Sequence, residues 1–581
     1  MRRGGEFVGA AGGASSVKRG VRAHVPPALV SRGGGRAGVV AVVVAAALSL
    51  SACTAYPQSG PVQAANPDLP DLAQVAQTAS GPIKDASPTE ILSGFLRASA
   101  AGLDDDFGTA RRFLTPEVAG SWDPGAGVLI YPSDAGLSIE RSQTEAGGQV
   151  VKLATAVTGT LSRHGQFNAT DPDARTSLSF EMSKDAAGQW RISHLEDGVL
   201  LSSASFSLAY TARTLAFLTP DRRAAVADLR YLPLRRLPTH VMNALVVGPA
   251  PWLEGAVASA IPAGAQLTGG GVELKNGVAE VDLATETLLT PQERSQLRAQ
   301  VEASLAGIPQ VQTVQIILNG EEVDNAAAAL ETRTTTNPLL VSSENSLRHR
   351  IGEEWEQVPA PEGAVSAPRH PTYLGASIVY TDGGQLRILE EREARVLAED
   401  FRAAPSVDRL GWIWGERRGE GLSVINAAGK TRTVIAPWLA GAQVLQVLIS
   451  RDGARLVTVR KQGSAVRVEA MGVARDAEGA PTALGEPAFV AEVDGEFFQL
   501  AWENDVQLLA LHGREGVSVL DRIQLGGLRS SQRVQDGAVQ LAVNPSDRAI
   551  VVVTKNGELL QYQGGVWRLS TTGVMDPSFG N

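Results

Sequence analysis

The spacing of apolar positions changes character several times along the chain. An unbroken apolar run, 37–50, comes first. Its 14 residues fall short of the roughly 20 that a helix needs to cross a hydrocarbon core. Pro57, Pro61, Pro67 and Pro70 then punctuate a stretch without periodicity. Helical spacing begins behind Ser87-Pro88-Thr89-Glu90, a capping box with proline at the first helical position. Ile91, Leu92, Phe95, Leu96 and Ser99 follow on one face. A second short helix is expected over Phe107, Ala110, Phe113 and Leu114, ending before Pro116. The period then falls to two, and 128–131, 150–161, 177–182 and 190–195 read as strands. This predicts an α+β domain with its helices on one face of a curved antiparallel sheet.

The next segment, 206–235, reads as a connector: a strand-like 207–218, a turn at Thr219-Pro220-Asp221, and a second apolar stretch over 224–231. Beyond it, 241–247 predicts a helix stopped by Gly248-Pro249, and Asn276-Gly277 predicts a two-residue hairpin between 272–275 and 278–281. Thr290-Pro291-Gln292-Glu293 is another capping box, ahead of a stripe at Leu297, Val301 and Leu305 that Gly307 and Pro309 end. Val314, Ile316 and Leu318 alternate towards a second turn, Asn319-Gly320, and Asp282 reads as the cap or end of a strand. Residues 326–345 are low in complexity and read as a linker. After them helical spacing disappears. Short apolar runs alternate with Asp-Gly, Gly-Gly and Asn-Gly turns, the pattern of a sandwich, barrel or propeller. Residues 444–459 and 541–553 share a strand–turn–strand form, around Ser450-Arg451-Asp452-Gly453 and Asn544-Pro545-Ser546-Asp547-Arg548, and 379–389 is a looser copy. At about 40–45 residues per blade, this region makes a β-propeller of five or six blades, with two sandwiches as the alternative. The expected fold class is multidomain: two α+β domains, 83–205 and 236–325, followed by an all-β propeller, 346–575.

Composition alters the picture at the amino end. Residues 1–52 carry Arg2, Arg3, Lys18, Arg19, Arg22, Arg32 and Arg36 against Glu6 alone, which makes a basic n-region before an apolar h-region: a secretory signal. Cys53 is the only cysteine, so no intramolecular disulfide can form. Leu50-Ser51-Ala52-Cys53 resembles the bacterial lipobox, which implies an S-diacylglyceryl and an N-acyl group on Cys53 and a chain lipid-anchored at the extracytoplasmic face of the cell membrane. Two or more acyl chains hold stably where one is marginal. Residues 53–82 would form a tether with a reach of roughly 30 Å as coil and about 90 Å as polyproline II. Removing the leader leaves 45 basic against 61 acidic residues, a net charge of −16. Nucleic acid is a poor partner for such a chain.

Catalytic motifs fail on inspection. Gly33-Gly34-Gly35-Arg36-Ala37-Gly38 fits a dinucleotide fingerprint but lies in the leader and follows no strand. Gly429-Lys430-Thr431 ends like a phosphate loop, but Val424 stands where that loop requires glycine. The six histidines after Cys53 (His164, His194, His240, His349, His370 and His512) are too scattered to nominate a ligand set. Asp104-Asp105-Asp106 reads as a solvated loop. No catalytic residue, metal site, cofactor or small-molecule ligand is nominated. Carboxylates converging at a propeller channel remain the one route to acid–base chemistry.

Residues 245–249, Ile261-Pro262-Ala263-Gly264-Ala265, Val281-Asp282-Leu283 and 311–320 resemble the GerMN module of envelope proteins, which implies no catalysis. Gly94-Phe95-Leu96, Ala110-Arg111-Arg112-Phe113-Leu114-Thr115 and Trp122-Asp123-Pro124 resemble the first domain of the LpqB family of actinobacterial lipoproteins, and the succession of domains is similar to that family throughout. The resemblance implies a non-enzymatic accessory that contacts the extracellular part of an MtrB-like sensor histidine kinase. Through the MtrA–MtrB two-component system it would affect cell-wall homeostasis and division. An enzyme acting on envelope glycans or lactones, or a non-catalytic scaffold, are the alternatives.

Overall fold

The computed structural model describes residues 79–580 apart from 135, 144–147, 172, 325, 332–336, 392, 402, 418–420, 527 and 545. The leader, Cys53 and the tether up to residue 78 lie outside the described residues. All described residues belong to the second of two compact units, 75–581.

The first domain begins where the capping box falls. Ser87 Oγ accepts the Glu90 N–H at 3.4 Å, and the Glu90 carboxylate accepts the Ser87 N–H at 2.7 Å, which starts the helix Pro88–Ala100. Its buried Ile91, Leu92, Phe95 and Ala98 share a core with Val151, Leu153, Ile192 and Leu200. The expected second helix is shortened to Gly108–Arg111, and a further helix, Pro116–Ser121, follows it. Between them Leu114 bridges Ile192, and Pro116 starts a helix instead of stopping one, because a first-turn proline has no N–H to lose. The single curved sheet also needs correction. The apolar stretch 150–161 divides into Gln149–Ala156 and Gly159–Ser162, which enter different four-stranded sheets. In the second sheet Gly127–Tyr131 and Val199–Ser202 pair in parallel.

The connector is a structural strut. Ser202 caps a helix, Ser203–Ala209, so the strand starts later than expected, at Tyr210. Tyr210–Leu218 and Ala225–Pro233 pair antiparallel along their whole length. Leu215, Phe217, Leu218 and Leu232 enter the second domain's core, while Tyr231 enters the first's. The second domain holds the helices Leu237–Val247 and Pro291–Leu305 against a sheet in which Val278–Ala284 and Thr313–Leu318 run parallel. The Asn276-Gly277 turn has φ of 51° and 81°, as a type I′ turn requires. Asp282 lies inside its strand, opposite Ile317, and does not end it. The expected linker packs too: Ala328 N–H donates to Ser295 O at 2.8 Å, and Glu331 N–H to Arg223 O at 2.7 Å. Its last part, Leu340–Ser343, is already a propeller strand.

Among the described residues six antiparallel sheets form the propeller, five of four strands and one, blade 4, of five. Blade 1 combines Leu340–Ser343, Ser346–Ile351 and Glu354–Gln357 with the carboxy-terminal strand Met575–Ser578, which lies innermost and closes the ring. The propeller thus extends beyond 346–575 at both ends. The innermost strands of blades 2 to 6 are Arg369–Leu374, Ser406–Val407, Gln443–Ile449, Glu496–Asn504 and Ala538–Val543, each touching the next around the ring. Residues 444–459 and 541–553 are both the first two strands of a blade, but 379–389 covers the second and third, so it is no third copy. The outer strands, such as Arg529–Arg533, escaped the sequence pattern because they are largely exposed and carry no apolar alternation.

The strut and second domain dock on the propeller through buried polar contacts. Arg455, fully buried, donates to Ala227 O at 3.1 Å, to Asp505 O and to the Asp452 carboxylate. Tyr231 Oη donates to Gln524, and Arg409 pairs with Asp221 and Glu331. Gly472 leaves room for Trp252 O and Ala256, which a Cβ there would meet at 2.8 and 2.7 Å.

Candidate functional site

The propeller channel and a cleft between the first two domains both bring polar side chains together. The channel is narrow, about 110 Å³. Its chemistry is directed at the ring itself. An innermost strand has an unpaired edge, and side chains of the neighbouring blade satisfy it. Gln446 Oε1 accepts the Leu500 N–H at 2.7 Å while its Nε2 donates to Leu500 O at 2.8 Å. Gln499 accepts the Leu541 N–H at 2.9 Å, and Gln540 the Asp576 N–H at 2.8 Å. Ser406 Oγ accepts the Ile449 N–H at 3.0 Å.

Asp576 is the hub of the closure. Its Oδ2 accepts from Arg369 Nε at 2.6 Å, Ser342 Oγ at 3.0 Å and the His370 N–H at 3.2 Å. Its Oδ1 accepts from Gln540 Nε2 at 2.7 Å and Arg369 Nη2 at 3.3 Å, with His370 Nδ1 also at 3.3 Å. Asp576 and His370 both hold positive φ, 52° and 48°. Burial alone would push the Asp576 pKa up, but the hydrogen bonds and charges of His370 and Arg369 outweigh it and hold the carboxyl well below its ordinary range. A carboxylate so saturated and so acidic is a poor general acid or base at neutral pH. The Gln-apolar-apolar-apolar recurrence at Gln446, Gln499 and Gln540 was the signal in the sequence for this ring, and periodicity alone does not single it out.

The cleft is larger, about 1060 Å³, and lies where clefts usually bind, at a domain junction. One wall is the first domain: Asp104, Asp105, Asp106, Phe107, Asp123 and the turn Arg163-His164-Gly165. The other is the strut's end with Tyr231, Arg235 and Arg236, the helix Leu237–Val247, and the strand Gln266–Leu267. Arg235 ties the walls together at one end by donating to Leu103 O at 3.0 Å and to Asp104 O. Arg163 pairs with Asp123. Tyr210 stacks on Phe206 with ring centroids 5.0 Å apart, and burial pushes its phenol up to about 12. His164 is pushed below its ordinary value by burial and then by Arg230 and Arg163; burial and Arg236 do the same to His240. Both imidazoles are therefore neutral near pH 7.

Beneath the cleft lies a buried ion pair. Arg230 Nη2 meets Asp228 Oδ2 at 2.6 Å and its Nε meets Oδ1 at 3.0 Å; the guanidinium also donates to His164 O at 2.9 Å and Gly248 O at 3.1 Å. One side chain so links the strut to a loop of each domain.

The sequence's candidates are dispersed. His164, His240 and Asp104–Asp106 meet in the cleft, the aspartates at the end of the short helix Gly102–Asp105 and not in the expected loop; His370 lies in the channel; His512 is buried against Asp521 in blade 5, Nε2 to Oδ2 3.1 Å. Among the described residues no group of three or more His, Cys, Asp or Glu could hold a metal, and no helix is long and apolar enough to cross a membrane. Gly429 sits in a hairpin turn of blade 3, where Gly429 N–H donates to Asn426 O at 2.9 Å.

Fold and site define a three-domain propeller protein, in which two α+β domains flank a cleft and dock on a six-bladed ring. Family models match each part in turn: the lipoprotein LpqB N-terminal domain over residues 81–207, the sporulation and spore germination domain over 213–324, and the lipoprotein LpqB beta-propeller domain over 378–580. The chain belongs to the LpqB family of lipoproteins. Lipoprotein LpqB of Streptomyces coelicolor is 27% identical over 613 residues, covering 94% of this chain and 98% of the relative. That of Bifidobacterium longum is 24% identical over 566 residues, covering 91% and 96%. Among solved structures, TolB from Acinetobacter baumannii aligns over 66% of this chain and 90% of its own at 11% identity, with a TM-score of 0.33, too low to carry an argument.

Proposed function

We propose that this chain is an envelope lipoprotein, anchored through S-diacylglyceryl and N-acyl groups on Cys53 at the extracytoplasmic face of the membrane. It binds the outer domain of an MtrB-like sensor histidine kinase and modulates the MtrA–MtrB system, and through it cell-wall homeostasis and division, without catalysing a reaction. The observation that carries this reading is the succession of an LpqB N-terminal domain over 81–207, a sporulation and spore germination domain over 213–324 and an LpqB propeller domain over 378–580. The saturated Asp576 supports a non-catalytic ring, since this carboxylate is spent on closing the ring and is held below the range for proton transfer. In-cell crosslinking followed by purification of the lipoprotein tests the partner: the kinase is expected in the eluate, and a deletion strain should show altered kinase signalling. Absence of the kinase together with unchanged signalling would sink the proposal.

A further inference from the structure

The cleft ends at an unpaired strand edge. Gln266–Leu267 is the outermost strand of the second domain's sheet on the side that lines the cleft. Thr268 N–H donates to Asp282 O at 2.9 Å. In an antiparallel ladder the bonding direction alternates, so Thr268 and Gln266 face Val278–Ala284 while the N–H and C=O of Leu267 face away. No described residue takes up those two groups. Around them the cleft is apolar at its floor, with Tyr231, Val246 and the half-exposed Val247.

Its charges are of both signs and partly unspent. The Asp104–Asp106 lip is exposed, and none of its three carboxylates forms an ion pair among the described residues. Opposite, Arg236 donates only to the Gly270 carbonyl and has no carboxylate partner there. A purely anionic ligand would be repelled by the lip. The volume lies at the upper limit of small-ligand sites. An extended polypeptide supplies what remains: backbone groups for Leu267, apolar side chains for the floor and charges of both signs for the rim.

We infer that the cleft receives an extended segment of a partner protein, added as a strand beside Leu267, with an apolar side chain over Val247 and an acidic one towards Arg236. That the partner is the kinase rests on the reading above; the peptide mode does not.

The test places a photo-crosslinking amino acid at Val247 in the full-length, lipidated protein in its own envelope, with Leu288, which is 92% exposed and does not line the cleft, as control. The expected result is an adduct at 247, absent at 288, that mass spectrometry maps to one contiguous segment of one protein. Val247→Arg should then weaken binding of that purified partner at least about tenfold without moving the unfolding midpoint. Asp104→Lys, on the exposed lip, serves if Val247→Arg does not fold. A glycan or lipid adduct at 247, no polypeptide adduct there, or unchanged affinity in the folded variant overturns the inference. A mapped segment from a protein other than the kinase upholds the cleft and sinks the kinase reading. Capture of the kinase through Leu288 but not Val247 does the reverse.

Discussion

Gly94 shows how a single residue can be visible in a sequence and still unexplained by it. A Cβ at Gly94 would lie 2.4 Å from the Phe113 ring. The glycine weakens its own helix by about 1 kcal/mol relative to alanine. Gly94→Ala would regain that but overpack a filled core, at about 1–3 kcal/mol. We expect a lower denaturation midpoint; an unchanged or higher one would refute the packing account. Asp576 gives a pH-dependent case. Its folded pKa is depressed, so its contribution is complete above the unfolded carboxylate value, near 4, and fades as pH falls through the folded value. Asp576→Asn should be less stable at pH 7 and show a shallower loss of stability on acidification. Equal acid limbs in thermal melts of the two proteins would contradict this.

At the scale of elements, the capping boxes, the Asn276-Gly277 hairpin and the innermost strands of blades 4, 5 and 6 were legible because each depends on neighbours a few residues away. What the inner strands do with their edges was not. Gln446→Ala would leave the Leu500 N–H and C=O without their partners, at about 1–3 kcal/mol, and Gln446→Glu should recover none of that loss, because it sets a carboxylate oxygen against Leu500 O where the amide donates. Urea melts of both variants check the order. The strut depends on Asp228–Arg230 in another way. Asp228→Ala strands a guanidinium that is 0% exposed, so a loss of about 3–5 kcal/mol is expected, with Asp228→Ala combined with Arg230→Met less harmful than the single change. A double variant no better than the single one would argue against an uncompensated charge.

For the whole molecule, the strut joins the first two domains through Arg230, and Arg455 fixes it to the propeller. The anchor belongs to this scale as well. Cys53→Ser is expected to block lipid labelling and leave the protein unprocessed or released, read by metabolic labelling and membrane fractionation. Normal labelling of that variant would remove the basis for lipidation at this residue.

The sequence by itself determined what depends on short range: the lipobox-like stretch, the two capping-box helix starts, the turns, the change of period from helix to strand, and the order of modules. It read Asp104–Asp106 as a solvated loop, whereas Asp104 and Asp105 end the short helix Gly102–Asp105, and it could not set them opposite Arg236. It took 326–345 for a linker because four alanines and a threonine run carry no periodicity, although Leu340 and Val341 within it are buried. Tertiary structure alone decided the ring closure, the glutamine clasps, the docking through Arg455 and the cleft. The reason is distance along the chain. Ser342 and Asp576 are 234 residues apart, as are Arg455 and Ala227 at 228, and no local pattern encodes a partner that only the folded chain brings within 3 Å or so.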